Sequence, residues 1–360
     1  MGKSPKPDPS YVLCRFLNST GKVQMPPTRP IVRLLASALL LVLALAAAGC
    51  GGSSGSGGKK ISLVGYSTPK EAYAKLTEAF KKTPDGSGVS FQQSFGASGD
   101  QSRAVAAGLP ADIVALSLQP DVDKLVDAKK VAAGWNQDRY KGFVTNSVVV
   151  LAVRKGNPKG IKGWADLTKP GVDIIEPNPF TSGGARWNVM AAYGSQIAQG
   201  RTDAQAQQFL KDLFDNVSVQ DKSARDSLQT FGSGKGDVLL AYENEAIAAK
   251  KKGIDLDYVI PDQTILIQNP IAVTEQGKSN AKASRFVDFL RSPAGQGIFA
   301  DEGYRPVLAS AADPRRFPTP KQLFEITKFG GWSAVNDKFF DPDKGVVAKI
   351  NKAKGVSTGG

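Results

Sequence analysis

From Lys59 onward the chain alternates short apolar segments with amphipathic ones, and this alternation restricts its possible folds more than any other feature. Strand-like runs fall at residues 61–66, 89–95, 112–117, 147–153, 172–175, 237–242, 258–260, 265–267 and 271–273. Helix-like stretches separate them at 185–199, 203–214, 243–252 and 281–291. Another helix follows the first strand. There Thr68-Pro69-Lys70-Glu71 has capping-box spacing with proline at the first helical position, and Ala72, Leu76, Ala79 and Phe80 mark one face. Strands alternating with helices predict an α/β fold, with parallel or mixed sheets flanked by helices. Ligands in such folds settle at the carboxyl ends of strands, where loops enter helices.

The 360 residues leave room for about two domains at roughly 150 residues each. Composition matters here mainly through what is missing. The chain has no histidine, which removes the Ser-His-Asp triad, the Cys-His dyad and every histidine-based metal site. Cys14 and Cys50 imply no disulfide framework. The net charge is +13, of which residues 1–49 hold +5 and the remainder +8. A basic balance suits an anionic ligand, an acidic envelope surface or a nucleic acid. The densest basic cluster, Lys250-Lys251-Lys252, has no interleaved aromatics and reads as a solvated helix end, so nucleic acid is not an expected partner.

The N-terminal segment reads as an address. Residues 34–48 form an apolar run of 15, preceded by Arg29 and Arg33 and followed by Gly49-Cys50. A membrane span needs about 20 residues, so the run suits a signal h-region. Ala47-Ala48-Gly49-Cys50 resembles a bacterial lipoprotein cleavage box, with Ala47 where leucine is usual. Residues 1–49 are expected to be a leader with Met25 as its true start, and Cys50 the lipidated residue. Residues 51–58, Gly-Gly-Ser-Ser-Gly-Ser-Gly-Gly, then serve as a flexible tether.

Three strand-to-helix loops share one chemistry: Gly96-Ala97-Ser98-Gly99-Asp100-Gln101, Thr181-Ser182-Gly183-Gly184-Ala185-Arg186-Trp187 and Lys222-Ser223-Ala224-Arg225. Ser98 and Gln101 have capping-box spacing, and Ser182 is a natural N-cap. The first turn of a helix leaves about four N–H groups unpaired, and its dipole adds about half a positive charge there. Sulfate is fully deprotonated near neutrality and accepts hydrogen bonds only. Neutral N–H and O–H donors on small residues therefore suit it, whereas phosphate keeps a proton and benefits from an acceptor. Asp100 would compete with an anion and is expected to face solvent. Taken singly, each loop reads first as an ordinary helix cap.

These loops, with Asn178-Pro179-Phe180, Asp237-Val238-Leu239-Leu240-Ala241-Tyr242-Glu243-Asn244-Glu245, Gly303-Tyr304-Arg305-Pro306 and Phe329-Gly330-Gly331-Trp332, resemble the sulfate- and thiosulfate-binding proteins of bacterial ATP-binding cassette importers. The resemblance covers nearly all of residues 60–345. It implies a two-lobed, type II periplasmic-binding-protein fold, hinged at two crossings near residues 143–150 and between Tyr242 and Gln268. Lobe 1 would comprise 59–145 plus 265–320, and lobe 2 would comprise 146–264 plus 321–360. Carried over by position, Ser98, Ser182, Gly183, Gly184 and Ala224 would contact the anion. Tyr242 stands where the family has a tryptophan donor, and is either a ligand donor or a core aromatic at the lobe junction. Ser67, near a family aspartate, is a further candidate donor. Arg186 and Arg225, just inside two of the helices, are either electropositive support behind the ligand or ordinary ion pairs. No cofactor or metal is implied. The resemblance predicts an exported monomer, anchored by lipid to the outer face of the cell membrane, that passes sulfate to permease subunits. Thiosulfate, molybdate, tungstate and phosphate are the alternative ligands. A secreted serine enzyme using Ser98 or Ser182 is the reading from another class, but neither serine has a motif lysine at helical spacing.

Overall fold

The computed structural model of the protein describes residues 60–359; the leader, Met25, Cys50 and the tether lie outside them. In chain order the elements are β1 (Lys60–Tyr66), α1 (Lys70–Lys81), β2 (Ser90–Gly96), α2 (Ser98–Ala106), β3 (Ile113–Ala115), α3 (Gln119–Asp127) and β4 (Phe143–Arg154). Then come β5 (Ile174–Ile175), α4 (Gly183–Ala198), α5 (Asp203–Asp215), β6 (Val217–Val219), α6 (Ala224–Gly232), β7 (Val238–Tyr242), α7 (Glu243–Lys251), β8 (Leu256–Val259) and β9 (Gln263–Val273). The chain ends with α8 (Ala281–Leu290), α9 (Pro293–Asp301), β10 (Arg305–Pro306), β11 (Gln322–Phe324), α10 (Gly331–Val335) and α11 (Val346–Ala353).

The strands run in the order β2-β1-β3-β9-β4-β7-β5-β6, so two parallel patches flank an antiparallel centre. β1 pairs in parallel with β2 and β3, and β5 with β6 and β7. The central strands β4 and β9 are long and belong to both patches. Residues 143–148 of β4 pair with β9, and residues 149–154 pair with β7 and β8. β9 leaves β4 to pair with β3 through residues 271–273. The expected separate strands 265–267 and 271–273 are thus one strand. The apolar pattern is interrupted by Asn269 and Pro270, and Pro270 sits opposite Phe143 at a register irregularity, where a missing N–H is tolerated.

Each patch is covered on both faces, and the period-two alternation of its strands shows it. Ile61 and Leu63 pack with Tyr73, Leu76, Phe80 and Phe286, while Val64 faces Val105, Val122 and Leu125. In β4, Val149, Leu151 and Val153 join Trp187, Leu210 and Phe214, whereas Val148, Val150 and Ala152 join Phe231, Leu239 and Ala246. A strand buried on both faces reads as a continuous apolar run, which is how residues 147–153 look in the sequence. Each such valine or leucine contributes about 1.5–3 kcal/mol on burial. The C-terminal segment packs on the second patch through Phe324, Trp332, Phe340 and Val347. Among the described residues no helix is long and apolar enough to cross a membrane.

Two expected helix starts differ. The Thr68–Glu71 capping box does not form: Pro69 occupies the N-cap position with no side-chain cap. Glu71 instead receives Arg225 and Lys252, because charge-assisted bonds are stronger than a neutral cap. The Ser98–Gln101 box is also absent. Ser98 is the first residue of α2, Ala97 precedes it as N-cap, and Gln101 turns back to Ser94.

Candidate functional site

Three helix starts meet between the two patches. α4 begins at Gly183, capped by Ser182, whose hydroxyl accepts from Ala185 N at 3.4 Å. α6 begins at Ala224, capped by Ser223, whose hydroxyl accepts from Asp226 N at 3.3 Å. α2 begins at Ser98, and Gly99 N donates to Thr181 O at 3.2 Å in the loop before α4. Their proximity can be measured from the glycines. A Cβ placed on Gly184 would lie 3.4 Å from Ser182 Oγ, 3.5 Å from Ala224 Cβ and 3.6 Å from Tyr242 Cε1. A Cβ on Gly183 would lie 2.8 Å from Ser117 Cβ and 2.9 Å from Leu118 Cγ. Ser98, Ser182, Gly183, Gly184, Ala224 and Tyr242 are all buried at this meeting point.

The donors are neutral, as the loop chemistry demands. Ser182 uses its lone pair on Ala185 N, which leaves its hydrogen free, and the first-turn N–H groups of Gly183, Gly184 and Ala224 have no intrahelical partner. Ser98 departs from expectation. Its hydroxyl donates to Asp121 Oδ2 at 2.7 Å and accepts from Ser117 N at 3.0 Å, so its hydrogen is already committed. Asp100 also departs: it pairs with Arg103 and, at 2.7 Å, with Lys222 Nζ rather than facing solvent. Lys222 precedes α6, and opposite charges at the cleft edge outweigh hydration of a carboxylate that is 28% exposed.

The cleft between the patches is shut. Arg225 reaches across it to Ser67 O at 2.9 Å and to Glu71 at 2.8 and 2.5 Å, and Lys252 adds a bond to Glu71 at 2.6 Å. Trp187 Nε1 donates to Ser117 O at 3.0 Å, and Ser117 Oγ lies 2.7 Å from Tyr242 Oη. Arg225 is therefore an ion-pair residue, and the backbone of Ser67 is its acceptor; Ser67 is buried beside Gly96 and Ala97 on the cleft wall. Arg186 behaves differently. It bonds Pro179 O and Asn336 Oδ1, lies over the Phe340 ring and has no carboxylate partner among the described residues, so it keeps a positive charge at the first turn of α4.

Electrostatics divides the nearby acids. Burial alone would raise the Glu71 carboxyl, but Arg225 and Lys252 outweigh it and hold the group at about 2. Glu245, in the first turn of α7, is pushed up to about 7 by burial, which its bond from Tyr242 N and the nearby Arg225 only partly offset. Burial pushes Glu176 well above the usual carboxylate range despite the amide of Asn188 at 3.0 Å. Burial also raises the Tyr242 phenol well above its ordinary value, so it stays protonated.

Ser117 and Asp121 belong to this constellation and were not singled out from the sequence; Glu71 and Lys222, read there only as parts of a capping box and of a loop, join it as charged partners. Ser117 carried a signal, since it ends the apolar run 112–117 where a strand delivers its loop. The others act through partners distant in the chain.

The model of the bacterial extracellular solute-binding proteins matches residues 61–305. The chain belongs to that family. It is 42% identical to a sulfate-binding protein of Synechococcus elongatus, over 89% of this chain and 96% of the relative. It is 34% identical to a thiosulfate-binding protein of Pseudomonas aeruginosa, over 88% of this chain and 98% of that one. Among solved structures, the sulfate-binding protein SubI from Mycobacterium tuberculosis superposes with a TM-score of 0.77 at 40% identity, covering 79% of this chain and all of SubI. The fold is thus the two-lobed periplasmic-binding-protein fold.

Proposed function

We propose that this protein is an exported receptor that closes over a sulfate ion and delivers it to an ATP-binding cassette importer. The observation that carries this reading is the meeting of three helix starts inside a shut cleft, with neutral donors at the point of convergence and Arg186 and Arg225 bonded to other partners. Ser182, Gly183, Gly184, Ala224 and Tyr242 are the proposed ligand residues. The backbone of Ser98 joins them, and its hydroxyl does so once turned away from Asp121. Arg186 supplies positive potential from behind, and Ser67 closes the wall. The similarity to sulfate-binding proteins supports sulfate, and the thiosulfate-binding relative supports thiosulfate as the second ligand.

Lobe 1 is proposed as 59–145 plus 265–320 and lobe 2 as 146–264 plus 321–360, with β4 and β9 as the hinge. Lipidation at Cys50 would tether a monomer to the outer membrane face, and the Gly/Ser stretch after it would give the receptor reach.

Thermal melts with sulfate, thiosulfate, molybdate and phosphate test the function. Ligand at 100 times its dissociation constant adds about 2.7 kcal/mol of stability. Sulfate or thiosulfate should produce that rise, and no shift with any oxyanion would overturn the receptor reading.

A further inference from the structure

We propose that Ser117 sets the ligand preference of this site, by holding the Tyr242 hydroxyl as a donor that cannot accept a hydrogen bond from the ligand. The inference rests on the oxyanion reading above and deepens it. Ser117 and Tyr242 belong to opposite lobes and meet at 2.7 Å, and both are fully buried. The backbone of Ser117 is pinned on both sides. Its N–H donates to Ser98 Oγ at 3.0 Å, and its carbonyl accepts from Trp187 Nε1 at 3.0 Å and Asn269 Nδ2 at 3.3 Å. Its hydroxyl also stands at the first turn of α4, since a Cβ on Gly183 would lie 2.9 Å from Ser117 Oγ.

The hydrogens can be counted. Two hydroxyls hold two hydrogens, and one of these lies in the bond between them. The other is left over where water is excluded, and a buried donor without an acceptor costs about 1–3 kcal/mol. With Ser117 donating, the phenol oxygen has spent its one good lone pair, since the other is conjugated with the ring, and its own hydrogen is the one left over. Such a group welcomes an anion that only accepts. It turns away one that arrives with a P–O–H, because no good lone pair remains to receive that hydrogen. Removing Ser117 Oγ frees one.

The test is calorimetric titration at pH 7 with sodium sulfate and with sodium phosphate, on the wild type, Ser117→Ala, Tyr242→Phe and the double variant. Ser117→Ala should weaken sulfate by about 5- to 10-fold, the worth of one hydrogen bond, while phosphate weakens less or tightens, so the ratio of the two affinities falls. Adding Ser117→Ala to Tyr242→Phe should change sulfate binding no further. Equal weakening of both anions, or full additivity in the double variant, would reduce Ser117 to a cleft contact and overturn the inference. Ser117→Cys keeps the size of the side chain and a weak donor, should fall between, and carries the test where melting without anion shows the alanine variant misfolded. A wild type that binds neither anion overturns the receptor reading and this inference with it; a wild type that binds sulfate while Ser117→Ala keeps the wild-type ratio overturns this inference alone.

Discussion

Gly183 opens α4 against Ser117 and Leu118 of the other proposed lobe, and a single methyl group there separates closure from folding. A Cβ at this position would stand 2.8 Å from Ser117 Cβ, 2.9 Å from Leu118 Cγ and 2.9 Å from Ser117 Oγ. None of these is the loose end of a long side chain, and Ser117 is pinned through its backbone. To reach ordinary contact the lobes must part by about 0.5 Å, and overpacking of this kind typically costs about 1–3 kcal/mol. Gly183 does not have a positive φ, so Gly183→Ala fits its backbone, keeps its N–H and gains about 0.5–1 kcal/mol as a helix residue. The strain therefore falls on the closed form. The expected result is a sulfate dissociation constant raised by about 5- to 150-fold, with unchanged or slightly increased stability in the absence of anion. Titration calorimetry and denaturant melts without sulfate measure the two quantities. An affinity within twofold of wild type, or an equal loss of stability without anion, would refute the reasoning.

Two further perturbations follow from the acids around the cleft. Glu245 keeps a raised pKa of about 7 against an ordinary 4.5, so the folded protein binds its proton more tightly than the unfolded chain does. Stability should fall as pH rises from about 4.5 to about 7, by about 3 kcal/mol in all. Glu245→Gln keeps an acceptor for Tyr242 N and should flatten that decline, which denaturant melts at pH 5 and pH 8 would register; parallel losses in variant and wild type would contradict it. Arg225→Ala removes the bonds to Ser67 and Glu71 across the cleft. Because the pair is partly exposed, an affinity loss of about 1–2 kcal/mol, roughly 5- to 30-fold, is expected in sulfate titrations, and an unchanged affinity would show that the contact does not hold the lobes together.

What the sequence disclosed followed the range of the interaction. The strands and helices were legible because burial on both faces of β4 leaves a continuous apolar run, and the N-cap Ser182 was legible because a cap is made within three residues. Glu71 was misread for the converse reason. Its spacing from Thr68 is that of a capping box, but Arg225, 154 residues away, offers a charge-assisted pair that a local neutral cap cannot match. Ser98 and Asp100 follow the same rule, one drawn to Asp121 and the other to Lys222. The place of Tyr242 could be assigned from its neighbours in the chain, but its hydrogen-bond partner could not, because Ser117 stands 125 residues away.

β4 exchanges partners between Val148 and Val149, leaving β9 for β7 without a break in its own course. Beside it, β9 passes just as continuously from β4 to β3. Two adjoining ribbons joined along a shared seam can flex about that seam, but they resist sliding and shear because either motion would tear their ladder. The movement available to the proposed hinge is thus close to a single swing about one line. A membrane partner touching both lobes would then meet two outlines rather than a continuum, so that the presence of one small ion is written across the width of the molecule.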